Sequence, residues 1–202
     1  MKNECFVLAS HNKAKLAEMR DILGELGIRV ISQAEAGVDV EPEETGATFA
    51  ENALIKARAA MEASGLAAIA DDSGIAVEAL GGAPGVYSAR YGNCASDGER
   101  VELLLKNMEN EEHRAAKFVS NIAVVFPNGD ELVTAGECAG ELTYAPRGEN
   151  GFGYDPIFFM PCFGRTLAEV TAEEKNSVSH RGRALRAMKE KLTIYFKEKE
   201  RC

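Results

Sequence analysis

The sequence predicts an α/β protein built on a mixed β-sheet. Strand-like apolar runs alternate with helix-period segments in the first half of the chain. Two long β-rich stretches then flank a PNGD turn, a hairpin that adds antiparallel strands to the alternating pattern. No repeat, low-complexity tract or linker interrupts the 202 residues. Residues 1–202 are therefore read as one domain, long enough to bury about 70% of its unfolded surface without staples.

The elements follow in order. ECFVLAS is a buried strand, and Leu16, Met19, Ile22, Leu23 and Leu26 then recur at helical spacing, with Gly27 as the stop. IRVIS is a second strand, followed by the Gly/Pro/acid segment AGVDVEPEETG. ATFAENALIKARAAMEAS reads as a strong helix, because Thr48 and Glu51 form a capping box and Gly65 ends it. LAAIA is a short strand running straight into DDSG, and the loop-rich EALGGAPGVYSARYG comes next. Ser96 to Met108 is helical, AAKFVSNIAVVF and ELVTAGECAGELT are the hairpin strands, and RGENGFGYDP is a glycine-rich loop. A last helix starts near Ser179, its N-cap, and carries Leu185, Met188, Leu192 and Tyr195 on one face; the KEKERC tail is its fraying end.

The net charge of −9 argues against a nucleic-acid polymer as partner but leaves room for a small phosphorylated ligand in a local basic pocket. Cys5, Cys94, Cys138, Cys162 and Cys202 are scattered and odd in number, as are His11, His113 and His180, so reduced thiols in a cytoplasmic protein are expected. The amino end lacks the apolar core of a signal peptide, and no apolar run approaches the roughly 20 residues that cross a bilayer.

Cations stand where the helix dipole disfavours them. Lys13 and Lys15 open the first helix in SHNKAK, and His180 and Arg181 open the last, with Lys175 just before. Each such cation costs about 0.3–1 kcal/mol at a surface. A bound anion at those free amides would reverse the sign; solvated surface lysines are the plainer alternative. No P-loop or dinucleotide fingerprint is present. Glu41, Glu43, Glu44, Asp71 and Asp72 form an acidic set, and oxygen donors without cysteine or histidine pairs favour a hard cation, Mg²⁺ first. Successive strand residues point to opposite faces, so Asp71 and Asp72 cannot easily share a job; spacing alone does not choose between them, nor exclude two solvated acids at a strand end. In GENGFGYDP the glycines allow close backbone approach, Phe152 and Tyr154 offer flat faces for a base, and Asp155 offers an acceptor for a ring N–H, unless this is an ordinary aromatic turn. Asn52 and Lys56 lie four apart on one helical face, and Arg90 could hold an anion or pair with a carboxylate. The inventory is that of phosphoryl chemistry on a nucleotide.

Five segments taken together, LASHNKAK, EETGATFAENALIKA, ADDSGIAVEALGGAPGVYSARY, GENGFGYDPIFF and EEKNSVSHRGRAL, resemble the inosine triphosphate pyrophosphatase family over about Phe6 to Leu192. The resemblance implies an elongated mixed sheet with flanking helices and two lobes around a central cleft. It implies a homodimeric, Mg²⁺-dependent hydrolase releasing pyrophosphate and a nucleoside monophosphate from dITP, ITP or XTP. It also implies site residues. Asp72 is the proton acceptor and a metal residue, Glu43 is the second metal acid, and Ser73 contacts substrate. Ser10, His11, Asn12, Lys13, Ala14 and Lys15 bind phosphate. Lys56, Phe152, Gly153, Tyr154, Asp155, Lys175, His180 and Arg181 bind substrate. Many relatives begin the first segment Thr-Gly-Asn, where this chain has Ser10-His11-Asn12. On this reading Asp72 activates a water that attacks the α-phosphorus, Mg²⁺ is held with help from Glu43, and Lys13, Lys15, Lys56, Lys175 and Arg181 are the candidate cations for the triphosphate. Donors around His180 and Arg181 would select a 6-oxo purine over adenine. The alternatives are a Maf-like pyrophosphatase acting on modified pyrimidine triphosphates and a non-catalytic nucleotide-binding regulator.

Overall fold

In the computed structural model, residues 4–199 are described; Cys202 and the end of the KEKERC tail lie outside them. Seven strands form one mixed sheet: β1 (Cys5–Leu8), β2 (Arg29–Ser32), β3 (Ala67–Val77), β4 (Ala115–Val125), β5 (Glu131–Leu142), β6 (Phe158–Met160) and β7 (Arg165–Thr166). Their order is β2-β1-β3-β4-β5-β6-β7. β1 pairs in parallel with β2 and β3, whereas β5–β6 and β6–β7 are antiparallel. The helices are α1 (Lys13–Gly24), α2 (Phe49–Ser64), α3 (Asp97–Asn107), α4 (Ala172–Val178) and α5 (His180–Lys199). No helix of the described residues is long and apolar enough to cross a membrane.

The chain divides into two compact units. The first holds the residues up to Asp72, Ser120–Gly136 and the chain from Arg181 onward. Its sheet faces are sorted by strand alternation. Phe6, Leu8, Ile69, Ile122 and Val124 meet Met19 and Leu23 of α1 and Leu185, Met188 and Leu192 of α5. Ala68, Ala70, Ala123 and Val125 meet Ala53, Ala57 and Ala60 of α2 on the other face. Burying a side chain such as Met19, Ile22 or Leu23 contributes about 1.5–3 kcal/mol, so the apolar face of α1 outweighs a lysine at its start. Gly65 closes α2 with φ 67°, and the capping box at Thr48 and Glu51 is formed as expected.

The second unit holds Ser73–Val119 and Glu137–His180. Its core gathers Ile75, Val101, Leu104, Met108, Phe118, Ile157, Phe158 and Leu167. Two 3₁₀ segments, the single turn Glu78–Leu80 and the longer, kinked Gly85–Asn93, occupy what the sequence suggested was only loop.

Two expectations change and one stands. LAAIA does not end before DDSG: β3 continues to Val77, so the two aspartates sit within a strand. The last helix is preceded by α4, a seven-residue helix with its own capping box from Thr171 and Glu174. Ser179, with extended backbone (φ −64°, ψ 156°), closes α4 and stands at the expected N-cap position, directly before α5 begins.

Candidate active site

Alternation along β3 decides where each aspartate points. Asp71 shares the face of Ile69, which is covered by α1 and α5, and Asp72 shares the face of Ala68 and Ala70, which is covered by α2. Asp71 is 1% exposed. Its Oδ2 lies 2.7 Å from Lys15 Nζ and 3.1 Å from Arg181 Nη2, and its Oδ1 accepts from Ser120 Oγ at 2.6 Å. Arg181 Nη1 is also 2.7 Å from Glu18 Oε2. Burial opposes ionisation of Asp71, but Arg181 and Lys15 outweigh it and hold its carboxyl well below the usual carboxylate range. Burial pushes the Lys15 ammonium down, with repulsion from Arg181 and Lys56 adding to it and Asp71 opposing. Arg181 is raised despite burial, because Asp71 and Glu18 both face it.

This accounts for two cations at positive helix ends. Lys15 and Arg181 stand in the first turns of α1 and α5, and both are paired with one buried carboxylate, Asp71, Arg181 also with Glu18. Asn12 caps α1, its Oδ1 accepting from Ala14 N at 2.9 Å and Lys15 N at 3.2 Å. The sequence had offered those amides to an anion; here the Asn12 side chain takes two of them.

On the α2 side, Asp72 is 7% exposed. Lys56 Nζ donates to Asp72 Oδ1 at 2.7 Å and to Glu44 Oε1 at 2.9 Å. Asp72 Oδ2 is buried with no hydrogen-bond partner among the described residues. Burial raises the Asp72 carboxyl above its ordinary value, Glu44 adds to the rise, and Lys56 opposes it. Burial also works against the Lys56 ammonium, but Asp72 and Glu44 together raise it. The result is a buried carboxylate with one oxygen fixed, the other uncommitted, and its proton affinity increased. That is the chemistry of a general base.

In the second unit the glycine loop is closed on itself. Asp155 Oδ2 accepts from Phe152 N at 2.9 Å and from Lys175 Nζ at 2.7 Å. Lys175 is 5% exposed, and its ammonium lies 4.6 Å from the centre of the Phe152 ring. Gly151 (φ 74°) admits no side chain, since a Cβ would stand 2.2 Å from Asp155 Oδ2. Tyr154 is buried and its hydroxyl donates to Ser88 O at 2.8 Å; burial raises its pKa. Gly153 N donates to Asp97 Oδ2 at 2.9 Å. The His180 ring is buried and stacked on Phe118, with centroids 4.7 Å apart and planes 14° apart.

The first unit thus brings Lys15 and Arg181 together on Asp71, and Lys56 onto Asp72. The second brings Phe152, Asp155 and Lys175 together. Ser10, His11, Asn12, Lys13 and Ala14 lie in or beside the first turn of α1; Ser10 Oγ accepts from Asn12 N, His11 Nε2 is 3.3 Å from Asp39 Oδ1, and Lys13 and Ala14 are exposed. Ser73 is half-buried next to Asp72 on β3. Glu43 is exposed, and Glu44 is the acid of that segment joined to Asp72 through Lys56. Sequence reasoning did not single out Glu18, Ser120, Asp97 or Phe118. Glu18 was within reach, because it lies three residues from Lys15 on one helical face. Ser120 gave no signal.

Oxygen donors of this kind suit a hard cation. No cluster of three or more His, Cys, Asp or Glu that could hold a metal occurs among the described residues. Mg²⁺ does not require one, since it commonly binds through one or two carboxylates, waters and substrate phosphates. The uncommitted Asp72 Oδ2 and the nearby Glu44 carboxylate fit that pattern.

Comparison with known proteins identifies the family. The family model described as Ham1 family matches residues 6–191. A dITP/XTP pyrophosphatase of Yersinia pseudotuberculosis is 50% identical over 193 residues, covering 92% of this chain and 96% of the relative. The solved structure of a HAM1 protein from Coxiella burnetii superposes with a TM-score of 0.86 at 48% identity, covering 94% of this chain and 98% of that one. The Staphylococcus aureus Ham1 protein gives 0.84 at 40% identity, with the same coverage. With a family model spanning nearly the whole length and solved Ham1 structures superposing on the fold, the chain belongs to the Ham1 family.

Proposed function

We propose that the chain hydrolyses deaminated purine nucleoside triphosphates (dITP, ITP and XTP) to the nucleoside monophosphate and pyrophosphate, and so clears them from the nucleotide pool. In this reading it uses Mg²⁺ and works as a cytoplasmic homodimer without membrane or nucleic-acid partners. The observation that carries the reading is the division of labour on β3: Asp71 is consumed by two cations, whereas Asp72 keeps one buried oxygen uncommitted. Relatives named dITP/XTP pyrophosphatase support the substrate class.

Two carboxylates, Glu44 and Asp72, meet at the Lys56 ammonium, a donor set that suits a divalent ion. Bound Mg²⁺ would screen charge on the phosphate oxygens. The chain's own residues do the remainder. Lys56 fixes Asp72 Oδ1; Asp72 Oδ2 would meet the ion through a bound water rather than directly, and so stays able to accept the proton of the attacking water. Lys15 and Arg181, held rigid by Asp71, preorganise positive potential at the starts of α1 and α5. Because Arg181 is committed to Asp71 and Glu18, reading of the 6-oxo group falls to His180, oriented by Phe118. The Asp155–Lys175 pair fixes the loop that presents Phe152 to the base.

The test is a panel of dITP, XTP, a modified pyrimidine triphosphate and dATP, with pyrophosphate detection with and without Mg²⁺. Selective, Mg²⁺-dependent release from dITP and XTP is expected. Tight binding of dITP without release, or preference for the pyrimidine, would overturn the reading.

A further inference from the structure

The start of α2 holds a second buried polar group besides Lys56. Asn52 is 0% exposed; its Oδ1 accepts from Gly46 N at 2.8 Å, and its Nδ2 has no partner among the described residues. Native interiors rarely leave such a donor unsatisfied, so packing alone does not explain an asparagine there. Gly46 lies tight against it: a Cβ at Gly46 would stand 2.6 Å from Asn52 Oδ1 and 2.7 Å from Glu51 Cβ. Glu51 takes the next two amides, Ala47 N at 2.7 Å and Thr48 N at 3.0 Å. Three consecutive backbone N–H groups, two residues beyond Glu44, are therefore clamped by the first turn of α2. One turn further along, Lys56 joins Glu44 to Asp72.

We infer that Asn52 is a positioning residue: by holding Gly46 it fixes the backbone that carries Glu44 and keeps that carboxylate beside Asp72 for a divalent cation. The inference rests on the proposed function and deepens it. Asn52 touches neither substrate nor metal in this account; it acts through Glu44. Residues that orient metal-binding side chains commonly control affinity by about 10- to 100-fold.

The experiment compares the full chain with Asn52→Ala and, as an independent disturbance of the same clamp, Gly46→Ala. Calorimetric titration of Mg²⁺ alone, the Mg²⁺ concentration giving half-maximal pyrophosphate release from dITP, and amide exchange at Gly46 to Thr48 are measured together. Both variants are expected to need at least about tenfold more Mg²⁺ in both metal readouts, with faster exchange at those amides and a smaller change in KM at saturating metal. If Asn52→Ala does not fold, Gly46→Ala decides. Wild-type Mg²⁺ affinity and half-saturation in the folded variants overturn the inference and leave the proposed function standing. A wild-type chain that binds Mg²⁺ yet releases no pyrophosphate overturns the function, while calorimetry still decides the role of Asn52. A wild-type chain that neither binds Mg²⁺ alone nor depends on it for pyrophosphate release overturns both.

Discussion

Replacing Asp71 by asparagine keeps the shape of the side chain and removes the charge on which two buried cations depend. Lys15 would lose its ion pair and keep neutral acceptors at residue 71, the backbone oxygen at 3.4 Å among them, whereas Arg181 would keep Glu18. Breaking a buried ion pair by removing one partner costs about 3–5 kcal/mol. Arg181 keeps a carboxylate and the Lys15 side chain retains 16% exposure, so the lower end, about 3 kcal/mol, is expected. A chain of this size shifts its Tm by about 2–4 °C per kcal/mol, which predicts a fall of about 6–12 °C. Urea unfolding followed by circular dichroism measures the loss directly. Adding Lys15→Met to Asp71→Asn removes the stranded ammonium and should recover a large part of it. A loss below about 1 kcal/mol, the worth of a solvent-exposed pair, would refute the buried three-way cluster.

The same cluster sets acid behaviour. Because the folded Asp71 carboxyl is held well below 3.8, its stabilisation is complete above that pH and is lost only as pH falls through the lowered value. Asp71→Asn should flatten the stability profile in the acid range; an unchanged slope contradicts the assignment. Burial and Glu44 raise the Asp72 carboxyl above 3.8, so the acid limb of kcat/KM should lie higher than for a free carboxylate. Glu44→Gln should move that limb downward, and an upward shift would contradict the electrostatic account. Gly74→Ala puts a Cβ 2.3 Å from Ser88 Oγ and 2.5 Å from Gly85 O, so β3 must shift, at about 1–3 kcal/mol by thermal denaturation.

What the sequence made legible was local. Period and capping located α1, α2, α3 and the β4–β5 hairpin, because each signal lies within one turn or one strand. Strand alternation also showed that Asp71 and Asp72 face opposite ways. It did not show how far β3 runs: Asp71, Asp72, Ser73 and Gly74 have poor strand propensity, and ion pairing from α1, α2 and α5 overrides it. The partner of Arg181 is 110 residues away in the chain, beyond any periodic signal. Glu43 and Glu44 are equivalent as letters, and only the reach of Lys56 from the next turn of α2 separates them. β6, β7 and α4 have 3, 2 and 7 residues, too short for periodicity to register.

The most direct test is kcat/KM for dITP in the wild-type chain and in Asp72→Asn, with the melting temperature of each measured alongside. Loss of a general base predicts a fall of about 10²–10⁴-fold, with a stability change well below that of Asp71→Asn. Near-wild-type turnover by folded Asp72→Asn, or a larger loss of turnover in Asp71→Asn, would contradict the assignment of the two aspartates.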